Sequence, residues 1–224
     1  MDSYYSETLS AERLEQCYDI APQRVRQYLK AELDFVLRRV GPNHRVLELG
    51  CGYGRIIPAL AETGRWVVGI DTSSSSLQYS RKFLHATPNC LLLRMDAAEL
   101  SFVDQSFDLV VCIQNGISAF HTDQKRLIRE SVRVTRPGGR VLFSSYSEKF
   151  WEDRLEWFRL QSEAGLIGAL DRVRTRDGVI VCTDGFTAST VNKHQFLALT
   201  AGLDAKVTIV EVDESSLFCE ITLP

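Results

Sequence analysis

The chain has 224 residues, 45% hydrophobic and 25% charged, an ordinary balance for a folded domain that buries a sizeable core without staples. Fibrous, collagen-like and wholly disordered classes are excluded. The formal net charge is −3 and the pI about 5.9; with no basic surplus or stripe, nucleic acid is an unfavoured partner. No apolar run approaches the ~18 residues of a membrane span. The opening Met1-Asp2-Ser3-Tyr4-Tyr5 has neither the basic start nor the apolar run of a secretory signal, which predicts a cytoplasmic protein.

Residues 11–40 read as helix, with Val25, Leu29, Leu33, Val36, Leu37 and Val40 on one face at helical spacing. Pro22 offers a break within it, and Gly41-Pro42-Asn43 stops it. Strands then alternate with helices: strands at 45–49, 66–70, 90–94, 107–112 and 140–144, helices at 56–63, 75–85 and 123–134. Pro137-Gly138-Gly139 separates the last helix from the last of these strands. Short, nearly continuous apolar strands between helices predict an α/β fold, a parallel sheet covered on both faces. Such a sheet binds ligands beyond the carboxyl ends of its strands, at the topological switch point.

The rhythm breaks after Ser144. Residues 148–170 read as a long helix carrying Trp151, Trp157 and Phe158. Residues 173–175 and 179–182 read as a hairpin about the turn Asp177-Gly178. A helix at 192–201 and strands at 206–212 and 217–223 close the chain. The six cysteines, Cys17, Cys51, Cys90, Cys112, Cys182 and Cys219, scatter singly and read as reduced, mostly buried thiols; no Cys/His cluster has metal-ligand spacing.

Three loops carry chemistry. The first is Glu48-Leu49-Gly50-Cys51-Gly52-Tyr53-Gly54, whose glycines permit a sharp strand-to-helix turn and close ligand approach. It is not the dinucleotide fingerprint, because the third glycine of that motif would fall on Arg55. The missing glycine argues against a nicotinamide-dependent oxidoreductase. The second is Asp71, which ends its strand 21 positions after Gly50 and is placed to accept from two ribose hydroxyls. The third is Asp96 in Met95-Asp96-Ala97, an acceptor for an adenine amino group.

With these segments, and with Gly69-Ile70-Asp71, Phe107 to Cys112 and Arg136-Pro137-Gly138-Gly139-Arg140, the chain resembles the class I S-adenosylmethionine-dependent methyltransferases over roughly residues 24–145 and the last thirty. The resemblance implies a Rossmann-like, doubly wound sheet of seven strands with the last antiparallel, the region after the fifth strand being a helix-plus-hairpin insertion. It implies S-adenosyl-L-methionine as cofactor and S-adenosyl-L-homocysteine as product. Gly50, Cys51 and Gly52 would lie along the methionine part, with Glu48 and Gly54 flanking them in the same turn. Asp71 would hold the ribose, Asp96 and Ala97 the adenine, and Gln114 the methionine end. Thr72 and Leu77 would line the adenosine. A weaker similarity to glycine N-methyltransferase-like enzymes rests on residues 111–120 and on Tyr18, Arg24 and Arg26. It implies a Tyr and an Arg from the N-terminal segment closing the cofactor site, here Tyr18 with either Arg24 or Arg26.

Asn115, His121 and Tyr146 are the polar groups expected to face a substrate, His121 as the candidate base. The competing readings are a helix cap or surface place for His121, loop-backbone bracing for Asn115 and a core ring for Tyr146. Trp151, Trp157 and Phe158 would wall a substrate pocket, or pack against the body or a homodimer partner. Tyr4, Tyr5 and Tyr18 would belong to a lid, the first two competing with a frayed terminus. The expectation is a single domain, 1–224, with an N-terminal helical lid at 1–40 and an insertion at 147–190 forming a substrate wall or dimer contact. Its reaction would be in-line methyl transfer to N, O or S of a small molecule. The alternatives are a methyltransferase acting on RNA or protein, and a non-catalytic S-adenosylmethionine-binding module. No Asn/Asp-Pro-Pro-aromatic motif follows the fourth strand, which weakens planar amino groups of bases or amides as acceptors.

Overall fold

The structure, a computed structural model, describes Tyr4 and residues 8–224; Tyr5 lies outside the described residues. The order of elements is α1 (Ala11–Asp19), α2 (Gln23–Leu37), β1 (Arg45–Leu49), α3 (Ile57–Thr63), β2 (Trp66–Asp71), α4 (Ser74–Leu84), β3 (Cys90–Arg94) and β4 (Phe107–Cys112). There follow α5 (Gly116–Ala119), α6 (Gln124–Val134), β5 (Thr135–Tyr146), a 3-10 turn (Glu148–Phe150), α7 (Trp151–Glu163), β6 (Ile180–Val181), β7 (Thr187–Ala188), α8 (Lys193–Thr200), β8 (Lys206–Val212) and β9 (Ser216–Thr222).

Seven strands form one sheet in the order β3-β2-β1-β4-β5-β9-β8. β1 to β5 pair in parallel, and β9 runs antiparallel to both β5 and β8. The chain winds one way from β1 through β2 to β3, then returns to β4 on the other side of β1. The switch point therefore lies between β1 and β4, as expected for a doubly wound sheet.

Alternation along the strands divides the core. Leu47, Leu49, Val110, Cys112, Val141 and Phe143 pack toward α6 and α8, with Leu127, Ile128 and Phe196. Val46, Val67, Leu109, Val111 and Leu142 face the other way, against Phe35 and Val36 of α2 and Ile57 and Leu60 of α3. A third apolar cluster lies off the sheet, where Cys17, Val25 and Tyr28 from the N-terminal helices meet Tyr146, Phe150, Trp157, Phe158 and Phe186.

Two boundaries and one hairpin differ from expectation. The long helix ends at Glu163 because Gly165, at φ +67, takes the left-handed C-terminal position. Its N–H donates to Ser162 O at 3.0 Å and that of Leu166 to Gln161 O at 2.9 Å, a Schellman termination. β5 begins at Thr135, not Arg140, because Pro137-Gly138-Gly139 forms an irregularity inside the strand: the register jumps from Phe107↔Thr135 to Leu109↔Arg140.

The hairpin is also rearranged. Asp177 and Gly178 do form a turn, with φ of 53° and 78° and a bridge between Arg176 and Val179. The ladder of Ile180–Val181, however, is made with Thr187–Ala188. The expected first arm is curled instead: Asp171 Oδ1 accepts from the N–H groups of Val173 and Arg174 at 3.0 and 3.1 Å, and Thr175 N–H donates to Asp171 O at 2.9 Å. A short acidic side chain offering its own acceptor diverts backbone from a strand into a turn. Pro22 does divide the N-terminal helix, since α1 stops at Asp19 and α2 starts at Gln23. Five of the six cysteines are buried thiols, and Cys90 is half-buried. Among the described residues no helix is long and apolar enough to cross a membrane.

Candidate functional site

A cavity of about 780 Å³ opens beyond the carboxyl ends of β1 to β4. It has two walls. The sheet-side wall is built by loops: Gly50 and Gly52 after β1, Asp71 to Ser76 after β2, Arg94 to Ala97 after β3, and Ile113, Gln114, Gly116 and Ala119 to Thr122 after β4. The opposite wall is built mainly by elements off the sheet, Leu9, Leu14, Cys17 and Tyr18 of the N-terminal segment and Trp157, Phe158 and Gln161 of α7, joined by Tyr146 at the end of β5.

The first turn is shaped for close approach. Gly50 and Gly52 sit at φ +68 and +54, where a Cβ is strained. A side chain at Gly50 would collide with the Phe120 ring, and one at Gly52 would press on Leu14. Cys51 N–H donates to Ile70 O at 2.9 Å, and Gly52 N–H donates to Asp71 Oδ2 at 2.8 Å. The other oxygen of Asp71 accepts from Ser73 N–H at 2.8 Å. Two backbone donors thus fix this carboxylate while leaving each oxygen a further lone pair for a ligand. Burial raises its pKa, and the N–H groups of Ser73, Gly52 and Thr72 oppose that rise. Asp96 is exposed, with Oδ1 accepting from Ala98 N–H at 2.8 Å. Thr72 and Ala97 line the same wall.

The serines after β2 join the walls. Ser73 caps α4. Ser76 Oγ accepts from Ala11 N–H at 2.9 Å, and the hydroxyls of Ser10 and Ser75 lie 3.0 Å apart. Tyr79 of α4 donates to Glu15 of α1 at 2.6 Å. On the other side, Tyr18 donates to Gln114 Oε1 at 2.6 Å, and Gln114 N–H donates to the buried Glu32 at 2.9 Å. Gln114 and Asn115 both hold left-handed backbone, φ 56° and 62°, a cost that surrounding bonds must offset. Glu32 also accepts from Ser216 at 2.9 Å. Burial pushes its carboxyl up to about 6 against these donors.

Several expected site residues do not reach the cavity. Arg26 is turned away, with Nε on Ala21 O at 2.8 Å and Nη2 on Asp19 O at 2.9 Å; it closes the carbonyl end of α1. Arg24 is engaged by Asp213 at 2.6 Å. Cys51 and Gly54 lie behind the turn, Gly54 against Leu84 and Ser80 of α4. Leu77 lines a separate groove with Leu91 and Arg94. Glu48 is buried behind the turn with Oε2 lacking a hydrogen-bond partner. Desolvation pushes its carboxyl up to about 8, Arg55 opposing and Asp71 adding.

Asn115 is a brace: Nδ2 donates to Ser189 O and Oδ1 accepts from Ser145 Oγ, both at 2.8 Å. His121 lines the cavity, exposed at its mouth, at φ 49°. The Tyr146 ring is packed between Tyr28 and Phe150 with one side on the cavity. Arg154 stands 4.5 Å over that ring. Trp157 and Phe158 line the cavity, whereas Trp151 packs on the third apolar cluster. Tyr4 is docked on the insertion, donating to Asp184 at 2.5 Å and meeting the Phe186 ring edge-on. The sequence reading missed Glu32, Phe120 and Gln161. Glu32 had a signal, an acid three residues after Leu29 and four before Val36 on the apolar face of α2.

The residues present suit an adenosine-bearing cofactor: a glycine turn that a Cβ would fill, a doubly anchored carboxylate after β2 and a second acid after β3. Comparison with known proteins agrees. A family model described as a methyltransferase domain matches residues 46–139. The chain is 36% identical over 152 residues to an uncharacterized methyltransferase of Mycobacterium tuberculosis, covering 67% of this chain and 56% of that one. It is 37% identical over 110 residues to the malonyl-[acyl-carrier protein] O-methyltransferase of Erwinia pyrifoliae, covering 49% and 40%. The matches thus span about half the length of these curated relatives. A solved S-adenosylmethionine-dependent methyltransferase of Aquifex aeolicus shares the fold, with a TM-score of 0.62 at 14% identity over 94% of this chain and 98% of that one. The chain belongs to the class I S-adenosylmethionine-dependent methyltransferase family, whose cofactor is S-adenosylmethionine.

Proposed function

We propose that the protein transfers a methyl group from S-adenosylmethionine to N, O or S of a small-molecule acceptor. The observation that carries this reading is the anchored Asp71 carboxylate facing one cavity with Asp96 and Gln114. In this reading Asp71 accepts from the ribose hydroxyls, Asp96 and Ala97 receive the adenine, and Gln114, held by Tyr18 and Glu32, orients the methionine end. When bound, the cofactor supplies an electrophilic methyl on a cationic sulfur, so alignment supplies much of the catalysis. The wall of Tyr18, Tyr146, Trp157 and Phe158 excludes water and seats the acceptor. His121, at the mouth, passes any proton released by the acceptor to solvent. Residues 1–40 act as a lid, and residues 147–190 provide the acceptor wall within one domain. The name of the Erwinia relative, an O-methyltransferase, supports oxygen as one acceptor in reach of such a site.

The test is incubation with S-adenosylmethionine labelled in the methyl group and a fractionated metabolite extract. Label is expected in the small-molecule fraction. Label only in RNA or protein would overturn the small-molecule reading, and tight cofactor binding without transfer to any fraction would favour a binding module.

A further inference from the structure

Gln161 stands out on the wall formed by α7. The residue is 3% exposed and lines the cavity, yet its side-chain amide has no hydrogen-bond partner among the described residues. The amide is open to the cavity and not sealed into the core, so both its donor and its acceptor are available to whatever occupies that space. Its neighbours one turn back, Trp157 and Phe158, line the cavity beside it. Two of the other polar groups of this wall are committed: Trp157 Nε1 donates to Cys17 O at 2.8 Å and Tyr18 donates to Gln114.

Charge sharpens the contrast. The ionised groups lining the cavity, Asp71, Arg94 and Asp96, all belong to the sheet-side loops. The opposite wall, among the described residues, contributes no Asp, Glu, Lys or Arg to the lining. An ionic acceptor seated there would lose its hydration with no counter-ion on that wall. A neutral apolar one would gain from the apolar surface it takes out of water.

We infer that Gln161 is the specificity-determining residue of an acceptor subsite for an uncharged, largely apolar molecule carrying one amide, carbonyl or hydroxyl group. The Gln161 amide donates to or accepts from that group, and the Trp157, Phe158 and Tyr146 rings hold the apolar body. This inference rests on the methyltransferase reading for calling the occupant an acceptor, but the subsite's chemistry is measurable without turnover.

The test is calorimetric titration of the full chain with 2-naphthamide, 2-naphthoate and naphthalene, each with and without saturating S-adenosylhomocysteine. The expected result is naphthamide binding at least tenfold tighter than naphthoate. In Gln161→Leu, naphthamide weakens about tenfold to the level of naphthalene, while affinity for S-adenosylhomocysteine stays within twofold. Naphthoate binding as tightly as naphthamide, no binding by any of the three, or an unchanged naphthamide affinity in Gln161→Leu would each overturn the inference. The wild-type comparison stands even where the variant does not fold, and Gln161→Met provides a second substitution. Failure of S-adenosylhomocysteine to bind while naphthamide binds would remove the cofactor reading alone.

Discussion

The two walls of the cavity are made by different means. On the sheet side the two acids sit at or just beyond a strand end, and backbone N–H groups of the loops there fix their direction: Gly52 N–H and Ser73 N–H clamp Asp71, and Ala98 N–H clamps Asp96. On the opposite side nothing is local. Tyr18, Tyr146, Trp157 and Phe158 come from three separate stretches of chain and are placed by ring packing at centroid distances near 6 Å and by single long-range bonds such as Trp157 to Cys17 O. Groups fixed by local geometry tolerate change elsewhere in the molecule. Groups fixed by long-range packing move together when one is removed.

The largest effect is expected from the apolar wall. Arg154 is 1% exposed, and its guanidinium donates to Gly178 O and Ala188 O, both at 2.8 Å. Arg154→Ala leaves the buried Ala188 carbonyl and the half-buried Gly178 carbonyl without this donor and opens a void under Tyr146, costing about 3–5 kcal/mol. Urea unfolding measures it; a loss below about 1 kcal/mol would mean that this wall is not held by the insertion.

Asp71→Ala breaks the other wall locally. Losing two charge-assisted bonds to ribose should weaken S-adenosylhomocysteine about a hundredfold, with a smaller effect on stability. Calorimetry showing unchanged affinity would place the ribose elsewhere.

Glu48 tests the support behind the turn through pH. Its folded carboxyl lies at about 8 against a usual 4.5, so between those values the folded state holds a proton that the unfolded state has released. Stability contributed by this group therefore falls as pH rises from about 4.5 to about 8. Glu48→Gln lacks that slope. Its stability advantage should grow by about 2 kcal/mol between pH 6.5 and 8.5, read from unfolding at each pH without cofactor. A constant difference would contradict the burial of Glu48.

The smallest effect is at the link between the walls. Tyr18→Phe removes the 2.6 Å bond to Gln114, about 1 kcal/mol, and should weaken S-adenosylhomocysteine about fivefold. No change would mean that the lid does not orient Gln114.

The same contrast explains what could be read in advance. The strand sequence, the glycine turn, Asp71 and Asp96 were legible because a strand end, a positive φ and a short acid leave a mark within a few residues. Arg26 misled because its real partners, the carbonyls of Asp19 and Ala21, are helix-end groups that no side-chain motif advertises. Leu77 misled by rotation, since its face of α4 points to the groove beside β3. The hairpin misled because Asp171 supplies an acceptor that competes with the ladder. Gln161 was invisible: only the packing of α7 against the N-terminal helix turns that amide inward.

The central claim is that the two walls divide the cavity into a cofactor half and an acceptor half. A structure with S-adenosylhomocysteine bound tests it most directly. The account predicts the ribose on Asp71, the adenine beside Asp96 and Ala97, and the sulfur facing open space bounded by Tyr146, Trp157 and Gln161. Ribose away from Asp71, or a ligand filling the space before Gln161, would contradict it.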